Sequence, residues 1–230
     1  PLEYLTNLQS ILTSIIEKQL SEIESCSALF ADALENGHNI FLFGTGHSHI
    51  LAEEVFYRAG GLVKLQPVLE TSLMLHESAS KSTEIERLEG YAKILFDTYK
   101  MQKDDVIVII SNSGRNGIPV DMALLAKEKG LKVIALTNIE HSSASPSRHK
   151  SGKRLYEIAD VVLDNMGCLG DASVYFEELG RKACPTSTST GAAILHAVVA
   201  GCIEKMLSDN VTPEVFSSSN VDGGDAINEA

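Results

Sequence analysis

Five short apolar runs, at residues 40–43, 62–65, 106–110, 133–136 and 161–163, are separated by longer stretches in which apolar residues recur at helical spacing. The runs are continuous, as in "IFLF" and "VIVII", and do not alternate with polar residues. An alternating strand shows one face to water, whereas a strand apolar at every position is covered on both. Helices are predicted near 48–59, 83–99, 119–129, 151–158 and 191–207. The repeated order of strand then helix predicts an α/β fold, a parallel sheet with helices on both faces. Right-handed crossovers make it a doubly wound, five-stranded sandwich, for which 230 residues are enough. Ligands of such sheets bind beyond the carboxyl ends of the strands, where successive connections diverge.

Ahead of the first run, apolar residues from Leu5 through Leu12, Ile16, Ile23 and Phe30 to Leu34 keep a helical period, and Asn36-Gly37 supplies a stop. One helix over 3–35 is predicted. It offers more apolar face than a single sheet layer covers, so a homodimer or homotetramer is expected. The expected division is an N-terminal helix at 1–37, a ligand-binding domain at 38–207 and a polar tail at 208–230.

Composition excludes some partners. Thirty-one acidic against 19 basic residues give a formal net charge of −12, a poor match for nucleic acid or an anionic membrane. The exception is Arg148-His149-Lys150 followed by Lys153-Arg154, either a solvated loop or a gate for an anionic substrate. Four widely spaced cysteines form no CxxC pair or Cys/His cluster. Reduced thiols in a cytoplasmic protein are the expectation. No run of about 20 apolar residues stands out, so membrane insertion is not expected.

Two of the strand ends carry unusual turns. "GTGHS" follows the first run and "SNSGRN" follows the third. A phosphate monoester needs converging backbone N–H groups, hydroxyls and a helix N-terminus. Gly44 and Gly46 permit close backbone approach in the first turn, where Thr45 and Ser48 add hydroxyls. The second supplies Ser111, Asn112 and Ser113, and a third hydroxyl cluster, 186–190, includes Ser187. Any one of these could be a helix cap and nothing more; three together favour a ligand site. The third glycine of a dinucleotide fingerprint is missing, and there is no GK[ST] of a P-loop.

"GTGHS" and "SNSGRNG", with "KVIALTN" and "ADVVLDN" further on, strongly resemble the SIS (sugar isomerase) domain over roughly residues 38–206. Among SIS proteins the chain is similar to a bacterial group related to phosphoheptose isomerases and N-acetylmuramic acid 6-phosphate etherases. The resemblance implies that Ser48, Ser111, Ser113 and Asn116 surround the phosphate of a phosphorylated sugar. Asn116 stands where many SIS proteins carry Ser or Thr. It also implies a glutamate ten residues beyond the loop serine, yet that position is Arg58, which cannot act as a base at neutral pH. Glu54, one helical turn earlier, either replaces that base or only pairs with Arg58. His196 either matches the histidine that phosphoheptose isomerases use on the last helix or is a core histidine bonded to a neighbour. His47, which flanks the phosphate serine, either assists ring opening or only caps the turn. No cofactor is predicted. His47, Glu54 and His196 make only a partial match to that family's divalent-metal site, which leaves room for a metal without predicting one. His76, Glu77 and Glu84 lie in a connection that would cover the site. The expected function is that of a phosphoheptose isomerase-like enzyme; the alternative is a non-catalytic phosphosugar-binding module. Asn220 and Asp222 in the tail either meet sugar hydroxyls at the mouth of a site, a neighbouring subunit's in particular, or belong to a solvated tail.

Overall fold

A computed structural model describes residues 1–229; Ala230, the last residue of the expected tail, lies outside the described residues. In chain order the elements are α1 (Leu2–Lys18), α2 (Leu20–Glu35), β1 (Ile40–Gly44), α3 (His49–Glu54), β2 (Leu65–Val68), α4 (Ala79–Ile85), α5 (Tyr91–Thr98), β3 (Val106–Ile110), α6 (Gly117–Lys129), β4 (Lys132–Thr137), α7 (Ile139–Ser143), β5 (Val161–Asp164), β6 (Val174–Phe176), β7 (Arg181–Ala183), α8 (Ser187–Ser208) and α9 (Gly224–Asn228).

The five-stranded sheet has the order β2-β1-β3-β4-β5, every pair parallel. All five residues of both β1 and β3 are buried, as strands covered on both faces require. One apolar layer packs Ile40, Leu42, Val108 and Ile134 against α2, α3 and α8. The other packs Phe41, Phe43, Ile107 and Ile109 against α5 and α6. Two side-by-side contacts let helices approach closely. A Cβ on Gly201 of α8 would stand 2.6 Å from Ser27 Oγ of α2, and that hydroxyl donates to the carbonyls of Ile23 and Val198. A Cβ on Gly191 would stand 2.5 Å from Leu51 Cδ1 of α3.

The structure corrects several expected boundaries. The N-terminal helix is two helices, broken at Gln19 (φ −119°, ψ 3°), whose Oε1 accepts from the backbone N–H of Asp164 at 2.9 Å. The break thus anchors the helix pair to the end of β5. The second strand lies three residues later than predicted, because Leu62 forms an antiparallel bridge with Val215 of the tail. The helix expected at 48–59 ends at Glu54, before Tyr57 takes a φ of 46°. Gly90 (φ 85°) divides the helix expected at 83–99 into α4 and α5. Only one 3-10 turn, Leu155–Glu157, forms in 151–158. The β6–β7 hairpin had no counterpart in the sequence reading. Helix α8 is long and apolar enough to cross a membrane by length and composition, but Ile194, Leu195, Val198 and Cys202 on it are buried in the core.

The tail is tied to the segment after α3. Gly60 N–H donates to Phe216 O (2.7 Å), Phe216 N–H to Gly61 O (3.0 Å) and Val63 N–H to Glu214 O (3.0 Å). The Phe216 ring meets Tyr57 edge-on at 4.9 Å between centroids. Deleting residues 213–230 would uncover Leu62, now 1% exposed, and orphan those backbone groups. The expected loss is roughly 2–4 kcal/mol in a urea titration; an unchanged midpoint would show the tail adds nothing to the fold.

Candidate functional site

β1 ends at Gly44, and the chain turns back over that end. A Cβ on Gly44 would sit 2.6 Å from the carbonyl carbon and oxygen of Ser48, so no other residue fits without moving the turn. Ser48 N–H donates to Thr45 O at 3.0 Å, closing a 3-10 turn over Gly46–Ser48. α3 has only six residues; the longer helix whose N-terminus borders the site is α8.

After β3 the second turn is built around Gly114. Its φ is 58°, and a Cβ there would stand 3.0 Å from Ser142 Oγ and 3.2 Å from Thr137 Oγ1. The buried Ser111 hydroxyl accepts from Gly114 N–H at 3.1 Å, so its oxygen serves the turn itself. The side chain of Asn112 is set by a relay of amides. Asn138 Nδ2 donates to Asn165 Oδ1 (2.9 Å), and Asn165 Nδ2 donates to Asn112 Oδ1 (2.7 Å). The Asn112 amide nitrogen is left as a donor for the adjoining space.

That space is a cavity of about 120 Å³ beyond the carboxyl ends of β3 and β4, bounded by Ile110, Leu136 and Leu51. Its polar lining is His47, Ser48, Asn112, Asn165, Asp171, Ser187 and Thr188. All three hydroxyl-rich turns therefore contribute to one cavity. The third is already partly occupied: Asp171 accepts from Thr186 N–H (3.1 Å), Ser187 N–H (2.9 Å) and the Ser187 hydroxyl, capping α8. Thr186 Oγ1 nearby is buried without a partner.

Other predicted residues fall elsewhere. Thr45 and Asn116 are buried and bonded to Glu86, at 2.6 Å each; Ser113 is half-buried and outside the cavity lining. Glu54 and His196 are brought together, with His196 Nε2 3.3 Å from Glu54 Oε1, and Arg58 Nη1 lies 3.0 Å from the same oxygen. This trio stands on α3, α8 and the segment after α3, one turn beyond Leu51 and two turns beyond Thr188. Neither Glu54 nor His196 lines the cavity. No cluster of three or more His, Cys, Asp or Glu suited to a metal occurs among the described residues, so His47 does not complete a ligand set with Glu54 and His196. Asn220 belongs to a separate surface hollow beside Tyr57 and Phe216, and Asp222 is exposed. Glu77 pairs with Lys81 and Glu84 with Arg87. The sequence reading missed Glu86, Asn165 and Asp171. No spacing signal marks any of them, since each acts on a partner distant in sequence.

Residues 3–138 match the SIS domain family. The chain belongs to that family. A UPF0309 protein of Halalkalibacterium halodurans is 43% identical over 226 residues, spanning 98% of this chain and 90% of that protein. Among solved structures, a phosphoheptose isomerase from Francisella tularensis superposes with a TM-score of 0.56 at 16% identity, covering 87% of this chain and 95% of that one. The Vibrio vulnificus NanR protein, solved in complex with ManNAc-6P, gives 0.54 at 16% identity, covering 90% and 64%. At these identities the SIS-type neighbours establish the fold, with the two turns at its strand ends.

Proposed function

We propose that this protein binds a phosphorylated sugar in the cavity between the two turns and α8, and isomerises it by proton transfer beside the carbonyl. The observation that carries the reading is the meeting of Ser48, Asn112 and Ser187, from three separate elements, around one space. The Ser48 hydroxyl and the Asn112 amide donor suit a phosphoryl group, which takes the Ser187 hydroxyl only by displacing it from Asp171. The phosphosugar named for NanR and the isomerase named among the neighbours point the same way. With the phosphate in the cavity, the sugar extends along the α3–α8 contact toward Glu54 and His196. The Glu54 carboxylate takes the proton from the carbon next to the carbonyl while His196 supplies one to the carbonyl oxygen. Glu54 then returns its proton to the former carbonyl carbon of the enediol while the other hydroxyl gives its proton to His196. The carbonyl thus reappears at the neighbouring carbon and both side chains are reset. Among the described residues no metal donor set assembles around this pair, and the steps above use side chains alone. The cytoplasm is the compartment this substrate class and the unpaired cysteines suit.

Exchange with D2O tests the chemistry. Wild-type enzyme is expected to wash deuterium into the carbon beside the carbonyl, and Glu54→Gln to slow this by roughly a hundredfold or more, the range for a lost general base. Unchanged exchange in both Glu54→Gln and His196→Ala would rule the pair out. One feature favours a phosphosugar sensor instead: Arg58 Nη1 lies 3.0 Å from Glu54 Oε1, an ion pair that already engages the proposed base. A sensor binds the sugar and shows no exchange at all.

We also propose a dimer built on α1. Leu2, Leu5 and Ile16 on it are 77%, 59% and 69% exposed, an apolar surface of the sort that marks an interface. Light scattering at micromolar concentration should give at least twice the 24.8 kDa chain mass; a stable monomer would contradict it.

A further inference from the structure

Glu86 ends α4, on the crossover between β2 and β3, and touches both turns at once. Its Oε2 is 2.6 Å from Thr45 Oγ1, and its Oε1 accepts from Asn116 Nδ2, also at 2.6 Å. Its backbone carbonyl accepts from Ile118 N–H at 3.0 Å, in the first turn of α6. Thr45 and Asn116 each stand at a helix N-cap, yet neither caps its own helix with its side chain. Both are turned instead toward this one carboxyl group. An internal anion thus occupies donors that the sequence assigned to the ligand's anion.

We propose that Glu86 is the affinity-determining residue of the anion site, and that the site takes up a proton there when a phosphorylated ligand binds. The inference rests on the phosphosugar reading above. When ionised, the carboxylate accepts a hydrogen bond from the Thr45 hydroxyl and sets a negative charge between the turns. When protonated, it donates its O–H to Thr45 Oγ1 across the same short distance and still accepts from Asn116. Two things change in the ligand's favour. The negative charge behind the first turn disappears, and the hydroxyl proton of Thr45 becomes free to donate elsewhere. Thr45 stands outside the cavity lining but on the turn that carries His47 and Ser48 into it. The proton comes from solvent and is returned when the ligand leaves.

The surroundings support a neutral form within reach. Burial pushes the Glu86 carboxyl above its usual range, against the opposing effects of the Thr45 bond and the Arg87 and Arg148 charges. Arg148 is held through Asn116, whose Oδ1 accepts from Nη1 at 2.9 Å. Neighbouring carboxylates are engaged elsewhere, Glu84 with Arg87 and Glu89 with Lys150. Arg115 lies beside Arg148, bonded to it through the backbone. On the first turn the titratable groups are His47 and His49, the latter bonded to the Gly46 carbonyl and 3.7 Å from Glu53. His47 and Asp171 are the competing sources of any proton uptake, because both line the cavity.

Linkage requires that whatever the ligand does to Glu86 protonation, protonation does equally to ligand affinity. The test uses inorganic sulfate, whose charge is constant over the range, and glucose 6-phosphate. Calorimetry at pH 5 to 8 in buffers of different ionisation enthalpy reads affinity and proton uptake together. For wild type, sulfate affinity should rise on the order of tenfold as the pH falls across the window, with uptake of a fraction of a proton. Glu86→Gln has an amide that imitates the protonated carboxyl, so it should bind both probes more tightly than wild type at pH 8 and take up less. His47→Gln should retain the wild-type uptake, and it tests the idea even if Glu86→Gln fails to fold. Uptake unchanged in Glu86→Gln, or abolished in His47→Gln, would overturn the inference alone. If wild type binds neither probe at any pH, the phosphosugar reading falls and takes this inference with it.

Discussion

Gly44→Ala is expected to lower the melting temperature by roughly 2–12 °C, corresponding to about 1–3 kcal/mol of overpacking in a chain of this size, and to abolish phosphosugar binding. The added methyl would collide with backbone atoms of Ser48 at 2.6 Å and with His49 N at 2.9 Å. Backbone cannot rotate aside as a side-chain tip can. Relief requires the 3-10 turn to lift off the end of β1, and that turn carries both Ser48 and His47 into the cavity. Gly44 also pairs with Ile110 across β1 and β3, so the disturbance reaches the strand that bears the second turn. Calorimetric melting with a ligand titration on the same sample checks both effects. Normal melting with normal binding would show that the turn tolerates a shift this geometry forbids.

Asn112→Asp should leave the fold intact and weaken phosphosugar binding on the order of a hundredfold, through a lost donor and a like charge facing the phosphate. The substitution is informative because it preserves the fixed half of the side chain. One carboxylate oxygen still accepts from Asn165 Nδ2, as Asn112 Oδ1 does at 2.7 Å. The other replaces the amide nitrogen that faces the cavity. Raising the ionic strength should recover part of the loss if charge repulsion contributes. Affinity within a factor of two of wild type at low salt would remove Asn112 from the site.

Much of this architecture was legible because it depends on local pattern. "VIVII" and "IFLF" could be read as doubly covered strands from composition alone, and their turns as polar ends at the ligand-binding edge of a parallel sheet. Boundaries set by distant partners were not legible. Gln19 breaks a helix whose period continues through it, since the backbone of Asp164 claims its side chain. Leu62 reads as strand, and it is extended, but its partner is Val215 of the tail and not the main sheet. The site divides in the same way. Ser48 and Asn112 sit at strand ends where the sequence placed them, with Ser187 at the start of α8. Thr45 and Asn116 have the right chemistry, but Glu86, 41 and 30 residues away respectively, holds them. Asp171 takes the N-terminus of α8 from 16 residues before Ser187. No periodicity carries information over such separations.

The most direct test of the central claim is a crystal structure of the protein soaked with a panel of sugar phosphates. The expected result is a phosphoryl group among Ser48, Asn112 and Ser187, with the sugar carbon chain running along the α3–α8 contact toward Glu54 and His196. A phosphoryl group bound elsewhere, or a sugar directed away from that pair, would contradict it.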